Sequence, residues 1–374
     1  MNRRLESLDV LRGADLFFLL ALGPLIRRFI RIVDVPWLNE CAWLFNHMEW
    51  EGFSLWDIIM PLFIFMTGIT IPFAFARIRE ERDYRAAAWR IVRRVVVLWV
   101  FGMICQGRLL HLDPNRIYLF SNTLQAIAVA YAVSAILFLF TKLRTQIVIA
   151  IVLLLGFWAA MEFISVDGYG GGDYTPQRNL AEWIDNAVLG RFRDGAKVVD
   201  GVVEFKPTYH YTWILSSLTF VVTGLLGMFA GVIAKSQMDE KHKLWWFAGV
   251  GTSLIAAGLL WSIWHPIIKP IWTSSMTLFS GGICFLLLWL CYYLIDYKGY
   301  RWGLTLFKVY GTNSIAAYMM PHFIKMNAIS TALLFGLEQY IGEDWYKMVI
   351  ALANVVLSYL LLYYMYRRKI FLKV

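Results

Sequence analysis

The chain is poor in charged residues. Asp, Glu, Lys and Arg make up only 16% of its 374 residues, whereas hydrophobic residues make up 59%. Soluble domains carry about a quarter charged residues, so this composition excludes a soluble protein. The four cysteines include no Cys-x-x-Cys pair and indicate no disulfide framework, and the histidine, cysteine and carboxylate spacings match no metal site.

Several other signals are missing as well. The first apolar run has no small-residue cleavage site and contains arginines at its end, so we expect no cleavable signal peptide. The sequence contains no convincing soluble domain, low-complexity segment or repeat of two halves. The absence of a repeat is unfavourable for a transporter, since transporters are often built from repeated halves.

Long apolar runs dominate what is present. A helix needs about 20 apolar residues to cross a bilayer, and runs of this kind occur at 10–33, 53–75, 92–110, 117–140, 146–165, 212–234, 244–264, 272–295, 304–324 and 346–366. A shorter run at 326–341 is interpreted as a re-entrant or interfacial helix, with an eleventh span as the alternative. The predicted fold class is all-α: one polytopic transmembrane bundle of about 10 spans over residues 1–374.

Lysine and arginine set the predicted orientation of these spans. Roughly 20 of the 35 lie in one alternating set of short segments, which the positive-inside rule places in the cytoplasm with both termini. The net charge of +9 is therefore read as a topology signal and not as a nucleic-acid surface. The segments predicted outside are 34–52, 108–116, 166–211, 265–271 and 325–345, and 166–211 is expected to form an ordered cap.

Polar residues within the spans are candidates for function because charges at membrane depth are costly. Asp9 and Arg12 share a helix face and can pair, and Asp57 opens the second span. Gln125 and Asn313 either bridge helices or line a pathway. Arg27, Arg28 and Arg31 lie at the outer end of the first span, where they either snorkel to the interface or face a cavity.

His47 differs in context from the other five histidines. It lies in Asn46-His47-Met48-Glu49-Trp50-Glu51-Gly52, on the predicted outer side, ten residues before Asp57. A histidine at such a helix mouth can take or give a proton near neutral pH. His242 lies in a basic cytoplasmic loop, and the remaining four lie near the predicted outer interface.

Six motifs, in order along nearly the whole chain, resemble one family. They are Arg4-Leu5-x-Ser7-Leu8-Asp9-Val10-Leu11-Arg12-Gly13; His47-x-x-Trp50-x-Gly52-x-x-x-x-Asp57 with Pro61, Phe63, Phe65 and Gly68; Leu124-Gln125-x-Ile127-Ala128-x-Ala130-Tyr131; Gly224-Leu225-Leu226-Gly227-x-x-Ala230-Gly231; Pro266-Ile267-x-Lys269-x-Ile271-Trp272-Thr273-Ser274-Ser275; and Gly311-x-Asn313-Ser314-Ile315 with Tyr318. The chain resembles the heparan-alpha-glucosaminide N-acetyltransferases and their YeiB-like bacterial relatives, which are transmembrane acyltransferases.

The resemblance implies an activity and a set of site residues. The activity is transfer of an acetyl group from cytosolic acetyl-CoA to the amino group of an extracytoplasmic amino sugar or glucosamine-terminated glycan, in a bacterial inner membrane. His47 would be catalytic, as general base or as acetyl acceptor, and Asp57 would orient it. The substrate-binding candidates are Asn46, Trp50, Lys269 and Asn313, and the candidates for binding CoA are Arg12, Arg93, Arg94 and Gln125.

Alternative functions stay open at this point. One is an inner-membrane permease for amino sugars such as N-acetylglucosamine, because ten spans with amides near the midplane suit transport too. Another is a transferase with a different acyl donor or acceptor, such as a cell-envelope polysaccharide. The bilayer is an expected partner and a homodimer is a candidate assembly, whereas nucleic acid and a metal are not expected.

Overall fold

The computed structural model describes residues 5–206, 208 and 210–372. Arg4 of the opening motif and Pro207 of the predicted cap lie outside the described residues. The described residues are mostly helical, as expected for the predicted all-α bundle. In chain order the helices are α1 (Glu6–Phe17), α2 (Gly23–Val33), α3 (Pro36–Glu40), α4 (Ile59–Glu81), α5 (Tyr84–Cys105), α6 (Thr123–Phe140), α7 (Leu143–Phe163), α8 (Leu180–Leu189), α9 (Ser217–Lys235), α10 (Glu240–Trp261), α11 (Ser274–Cys291), α12 (Leu304–Thr312), α13 (Ser314–Phe323), α14 (Met326–Leu333), α15 (Glu338–Ile341) and α16 (Glu343–Arg367).

Seven helical segments of the described residues are long and apolar enough to cross a membrane. They are Leu55–Glu81, Thr123–Phe140, Leu143–Phe163, Ser217–Lys235, Glu240–Trp261, Ser274–Tyr297 and Glu343–Arg367. Each coincides with one of the predicted runs, and together they make this a multi-pass membrane protein.

The other three predicted runs are helical but depart from a single long apolar helix. At 10–33, a π-helical turn joins α1 to α2; at 92–110, α5 carries several arginines in its first half; at 304–324, Asn313 separates α12 from α13. The number of about ten spans stays a prediction, as do the cytoplasmic termini.

The chain divides into two compact units. The terminal unit consists of Met1–Met48, Ser54–Ile59 and Leu287–Lys373, and the central unit consists of Glu49–Phe53 and Met60–Leu286. The His47 motif is therefore shared: His47 and Asp57 belong to the terminal unit, and Trp50 belongs to the central unit.

In the terminal unit, glycines allow α1 and α12 to pack backbone against backbone. A Cβ atom on Gly13 would lie 1.7 Å from the carbonyl oxygen of Phe307, and one on Gly311 would lie 1.9 Å from that of Asp9. Small residues at such contacts are the usual means of close helix packing in membranes. The contact continues into a buried cluster of Val10, Ile295 and Leu304.

In the central unit, the glycine-rich motif of α9 plays the same part. A Cβ atom on Gly227 would lie 1.9 Å from the carbonyl oxygen of Phe65, and one on Gly231 would lie 2.4 Å from that of Ile69, both on α4. The motif predicted from the sequence thus sets the distance between α4 and α9.

The predicted cap lies between α7 and α9 and is mostly built of short elements. It contains two antiparallel strand pairs, β1 (Ser165–Val166) with β2 (Tyr169–Gly170) and β3 (Ala196–Val199) with β4 (Val202–Phe205), and α8 between the pairs. Buried polar side chains of α8 bind neighbouring segments of the chain.

A buried polar network holds the cap together. The guanidinium of Arg193 donates to both carboxylate oxygens of Glu182, at 2.6 and 2.5 Å, and both side chains are almost fully buried. Asp185 accepts hydrogen bonds from the backbone N–H groups of Trp213 and Ile214 at 2.8 and 2.9 Å. Burial raises the pKa of Asp185 to about 7.

Candidate active site

His47 and Asp57 form a hydrogen-bonded dyad in the terminal unit. His47 Nδ1 lies 2.7 Å from Asp57 Oδ1. The Asp57 side chain is 1% exposed, whereas that of His47 is 47% exposed. The carboxylate is therefore built into the protein and the imidazole reaches out of it.

Local sequence explains how Asp57 is fixed. Ser54 and Asp57 form a capping box on the short 3₁₀ turn Leu55–Ile58. Asp57 Oδ2 accepts from the backbone N–H groups of Ser54 at 3.0 Å and Met48 at 3.2 Å, and it lies 2.9 Å from Ser54 Oγ. Ser54 Oγ also lies 2.6 Å from the Asn46 carbonyl oxygen, so the residues flanking His47 are tied to the same turn.

The hydrogen-bond donors around Asp57 determine which tautomer the neutral His47 ring adopts. Backbone N–H groups can only donate, so they favour the ionised carboxylate, which can only accept. An ionised Asp57 in turn requires a proton on His47 Nδ1. The lone pair of the neutral ring then resides on Nε2, which is the arrangement of a general base or nucleophile oriented by a carboxylate.

Trp56 packs against the His47 imidazole, and Arg27 packs against Trp56. The Trp56 indole meets the His47 imidazole edge to face, with centroids 6.3 Å apart, and the Arg27 guanidinium lies 4.1 Å from the Trp56 centroid. Arg27 also donates to the Phe45 carbonyl oxygen at 2.8 Å. A Cβ atom on Gly23 would lie 1.9 Å from the Trp56 ring, so this glycine makes the space for it. Arg27 is thus engaged in a cation–π contact and is not simply snorkelling.

The second half of the histidine motif is held by the central unit. Glu51 bridges Ile268 in antiparallel fashion, and Gly52 N–H donates to the Ile267 carbonyl oxygen at 2.9 Å. Trp50 Nε1 donates to the Tyr174 carbonyl oxygen at 2.8 Å, and its ring packs edge to face on His210 at 5.8 Å. Three segments far apart in sequence therefore meet around Trp50.

Tyr174, whose carbonyl binds Trp50, also takes part in a series of hydrogen bonds. Ser274 N–H donates to His265 Nε2 at 2.9 Å, His265 Nδ1 lies 2.9 Å from Tyr174 Oη, and Tyr174 Oη lies 3.0 Å from Glu162 Oε2. Because Nε2 accepts, the proton of the neutral ring is on Nδ1 and the series runs towards Glu162. Burial lowers the pKa of the fully buried His265 to about 3 and raises that of Tyr174.

The remaining predicted substrate residues differ in their environments. Asn46 is exposed beside His47, and its side-chain amide donates to the Ala42 carbonyl oxygen at 2.9 Å. Lys269 is 5% exposed in the turn that meets Gly52. Asn313 is fully buried, and both ends of its amide bind the C-terminal segment, at the Ile370 carbonyl and the Leu372 N–H. These bonds give Asn313 a structural partner, and its contact with substrate stays a prediction.

The residues predicted to bind CoA belong partly to the terminal unit and partly to the central unit. Arg12 lies 4.0 Å from Asp9 in the terminal unit, which is the pair expected from the spacing. Arg93 and Arg94 lie on α5 of the central unit, where Arg93 is exposed and Arg94 lies 4.3 Å from the centroid of Tyr131. Gln125 is fully buried, and its amide binds the backbone at Leu119, Ser121 and Asn122, capping α6. Its amide is therefore committed to the fold.

Ser54, Trp56 and the residues of the Tyr174 hydrogen-bond series were not predicted as site residues. Ser54 had a sequence signal, since Ser-x-x-Asp before an apolar run is a capping box. The link from His265 through Tyr174 to Glu162 had none, because 91 and 12 residues separate the partners.

Comparison with known proteins agrees with the resemblance read from the motifs. No protein-family model matches the chain. The chain is 25% identical to the heparan-alpha-glucosaminide N-acetyltransferase of Homo sapiens and 25% identical to that of Mus musculus, each over 421 aligned positions that include 99% of this chain. The chain spans about 60% of the length of these curated relatives.

Proposed function

We propose that this protein is a membrane acetyltransferase that moves the acetyl group of acetyl-CoA onto the amino group of an extracytoplasmic glucosamine-type sugar. The observation that carries the proposal is the dyad: a buried Asp57, fixed by backbone donors, holds His47 with Nε2 directed away from the carboxylate. The similarity to N-acetyltransferases over nearly the whole chain favours this chemistry over transport.

In the direct mechanism, His47 acts as a general base. The sugar amine attacks the thioester carbonyl carbon, and Nε2 takes the proton that the amine loses as the C–N bond forms. The C–S bond then breaks, the acetyl amide is released, and the proton on His47 is available to the departing CoA thiolate. Asp57 stabilises the imidazolium formed in between.

A relay through His47 uses the same nitrogen. Nε2 attacks the thioester carbonyl carbon and the C–S bond breaks, so CoA leaves as its thiolate and the acetyl group is bound to Nε2. The amine then attacks the acetyl carbon, the bond from that carbon to Nε2 breaks, and the imidazole takes the proton that the amine loses. The two mechanisms differ in one observable. Only the relay releases CoA in a stoichiometric burst and leaves a labelled protein when the acceptor is omitted.

The basic end of α5 supports acetyl-CoA as the donor. Arg93 is exposed on a helix whose N-terminal half is rich in arginine, on the predicted cytoplasmic side. Arginine forks match the phosphates of CoA. Gln125 and Asn313 are left out of the proposed substrate contacts because their amides bind the protein itself.

The test is acetyl transfer by the full chain in lipid nanodiscs, with labelled acetyl-CoA and glucosamine. We expect N-acetylglucosamine to form, His47→Ala to lose activity by about 10²–10⁴-fold, and the control His242→Ala to be unaffected. His242 is an exposed histidine in the first turn of α10, where it contacts Asp239, so the predicted loop position of His242 is corrected to a helix start. Full activity of folded His47→Ala would overturn the proposal, and uptake of N-acetylglucosamine into vesicles without acetyl-CoA would favour the permease.

A further inference from the structure

The terminal unit contains a groove that the proposed reaction does not use. It has a volume of about 620 Å³ and lies among α2, α13, α14 and α16. Aliphatic side chains such as Leu25, Met320, Val355 and Leu362 form most of its wall. None of the dyad residues lines it.

Two cations and several amides interrupt this apolar wall. Arg28 and Lys325 both line the groove. Arg28 uses Nη1 to donate to the Lys347 carbonyl oxygen, which occupies only one of the five N–H donors of a guanidinium. The two carboxylates at the start of α16, Glu343 and Asp344, are not among the residues that line the groove. Glu343 is paired with Lys347, and Asp344 is exposed. The groove itself therefore carries positive charge.

Asn354 supplies an unsatisfied acceptor in the same wall. Its Nδ2 lies 3.3 Å from Asn327 Oδ1, whereas its Oδ1 is buried and has no hydrogen-bond donor within the described residues. A buried acceptor without a donor costs about 1–3 kcal/mol.

The apolar part of the groove has the length of half a bilayer. From Asn354 to Leu362 it follows α16 for eight residues, which is about 12 Å at the helical rise. One leaflet accounts for about 15 Å of the ~30 Å hydrocarbon core. Asn354 lies about 16 Å from the start of α16, near the middle of this span, whereas the Arg28 guanidinium binds the Lys347 carbonyl close to the start of α16. The groove therefore matches an acyl chain whose polar end lies beside Arg28 and which passes Asn354.

We propose that this groove binds an anionic phospholipid. Arg28 and Lys325 bind the phosphate, and an acyl chain follows α16 past Asn354 towards Leu362. Charge complementarity selects an anionic over a zwitterionic lipid, and the apolar wall selects a lipid over a free headgroup.

The test uses the full chain, delipidated in detergent, with binding followed by native mass spectrometry. The probes are phosphatidylglycerol, phosphatidic acid, phosphatidylcholine and glycerophosphoglycerol, which lacks acyl chains. We expect phosphatidylglycerol to bind at least about tenfold tighter than phosphatidylcholine and glycerophosphoglycerol not to bind detectably. Equal binding of the two phospholipids would overturn the proposal, and tight binding of glycerophosphoglycerol would point to a free phosphate ester instead.

Variants locate the site. Arg28→Gln and Lys325→Gln should each weaken phosphatidylglycerol binding about tenfold, whereas Arg31→Gln should not, since Arg31 is an exposed arginine of α2 outside the groove. Equal losses in Arg31→Gln and Lys325→Gln would show non-specific attraction and refute the site. If Arg28→Gln does not fold, the exposed Lys325 decides the test alone.

Discussion

Replacing Asp57 with asparagine tests the dyad without changing its shape. Asparagine keeps one oxygen, which can still accept from the Ser54 and Met48 N–H groups that bind Asp57 at 3.0 and 3.2 Å. Its NH₂ group then faces His47 Nδ1. Because that group donates, it stabilises the tautomer with the proton on Nε2, and the outward nitrogen becomes a donor and can no longer take a proton.

The expected loss follows from the role of a general base. Such a group contributes about 10²–10⁴-fold in rate, which corresponds to about 3–5 kcal/mol at 1.36 kcal/mol per decade. The loss of stability should be smaller, about 1–2 kcal/mol, since Ser54 and the backbone donors keep a partner. Activity should therefore fall far more than the fraction of folded protein.

The assay compares four proteins under identical conditions. Initial rates of acetyl transfer are measured for the parent chain, Asp57→Asn, His47→Ala and the double variant, with thermal unfolding as the measure of folding. Residues that act as one unit are not additive, so the double variant should be no slower than His47→Ala. Asp34→Asn is the matched control, because Asp34 is exposed in the same predicted outer segment and its side chain binds only the side chain of Asn39 within the described hydrogen bonds.

Two results would refute this reasoning. One is a folded Asp57→Asn protein whose rate stays within about threefold of the parent, because loss of the oriented tautomer should cost at least about 10²-fold. The other is a double variant that loses the product of the two single losses, which would mean that the two side chains act independently.

Three further perturbations follow from the packing. Burial holds the pKa of His265 at about 3, below the ~6.5 of an unfolded chain. Between these two values only the unfolded state binds the proton, so the free energy of unfolding is highest above pH 6.5 and decreases as the pH falls towards 3. The unfolding free energy should drop by about 2 kcal/mol from pH 8 to pH 5, and His265→Gln should flatten this slope in pH-dependent unfolding; an unchanged slope would contradict it. Gly13→Ala should cost about 2–3 kcal/mol in thermal unfolding because its Cβ meets a backbone oxygen, whereas Gly156→Ala, with open space, should not destabilise. Arg193→Met should lower the free energy of unfolding by about 3–5 kcal/mol because it leaves the Glu182 carboxylate buried without its partner. The double variant with Glu182→Met should lose less, and an equal or larger loss would contradict a buried ion pair.

The sequence anticipated the residues whose signals are local. His47 and Asp57 lie ten positions apart, and the Ser54–Asp57 capping box fixes the turn to which the neighbours of His47 are bound. The pairing of Asp9 with Arg12 follows from helical spacing alone. The glycines of α1, α9 and α12 were identified only as parts of family motifs, and the structure adds that they lie at close backbone contacts.

Long-range partners could not be anticipated in this way. Asn313 and Gln125 were predicted to bind substrate and CoA, yet their amides bind the C-terminal segment and the cap of α6. A buried amide needs partners wherever it lies, and the sequence does not say whether the fold or a ligand provides them. The roles of Asn313 and Gln125 towards substrate and CoA therefore stay predictions.

The sequence by itself determined that this protein is a multi-pass, all-α membrane protein with a candidate histidine at a helix mouth, because hydropathy and short-range spacing are properties of the chain. Only the tertiary structure decided which nitrogen of His47 is directed away from Asp57, how Trp50 is held by the Tyr174 carbonyl, and that a charged apolar groove lies among α2, α13, α14 and α16. These features depend on atoms far apart in sequence that meet only after the helices have packed.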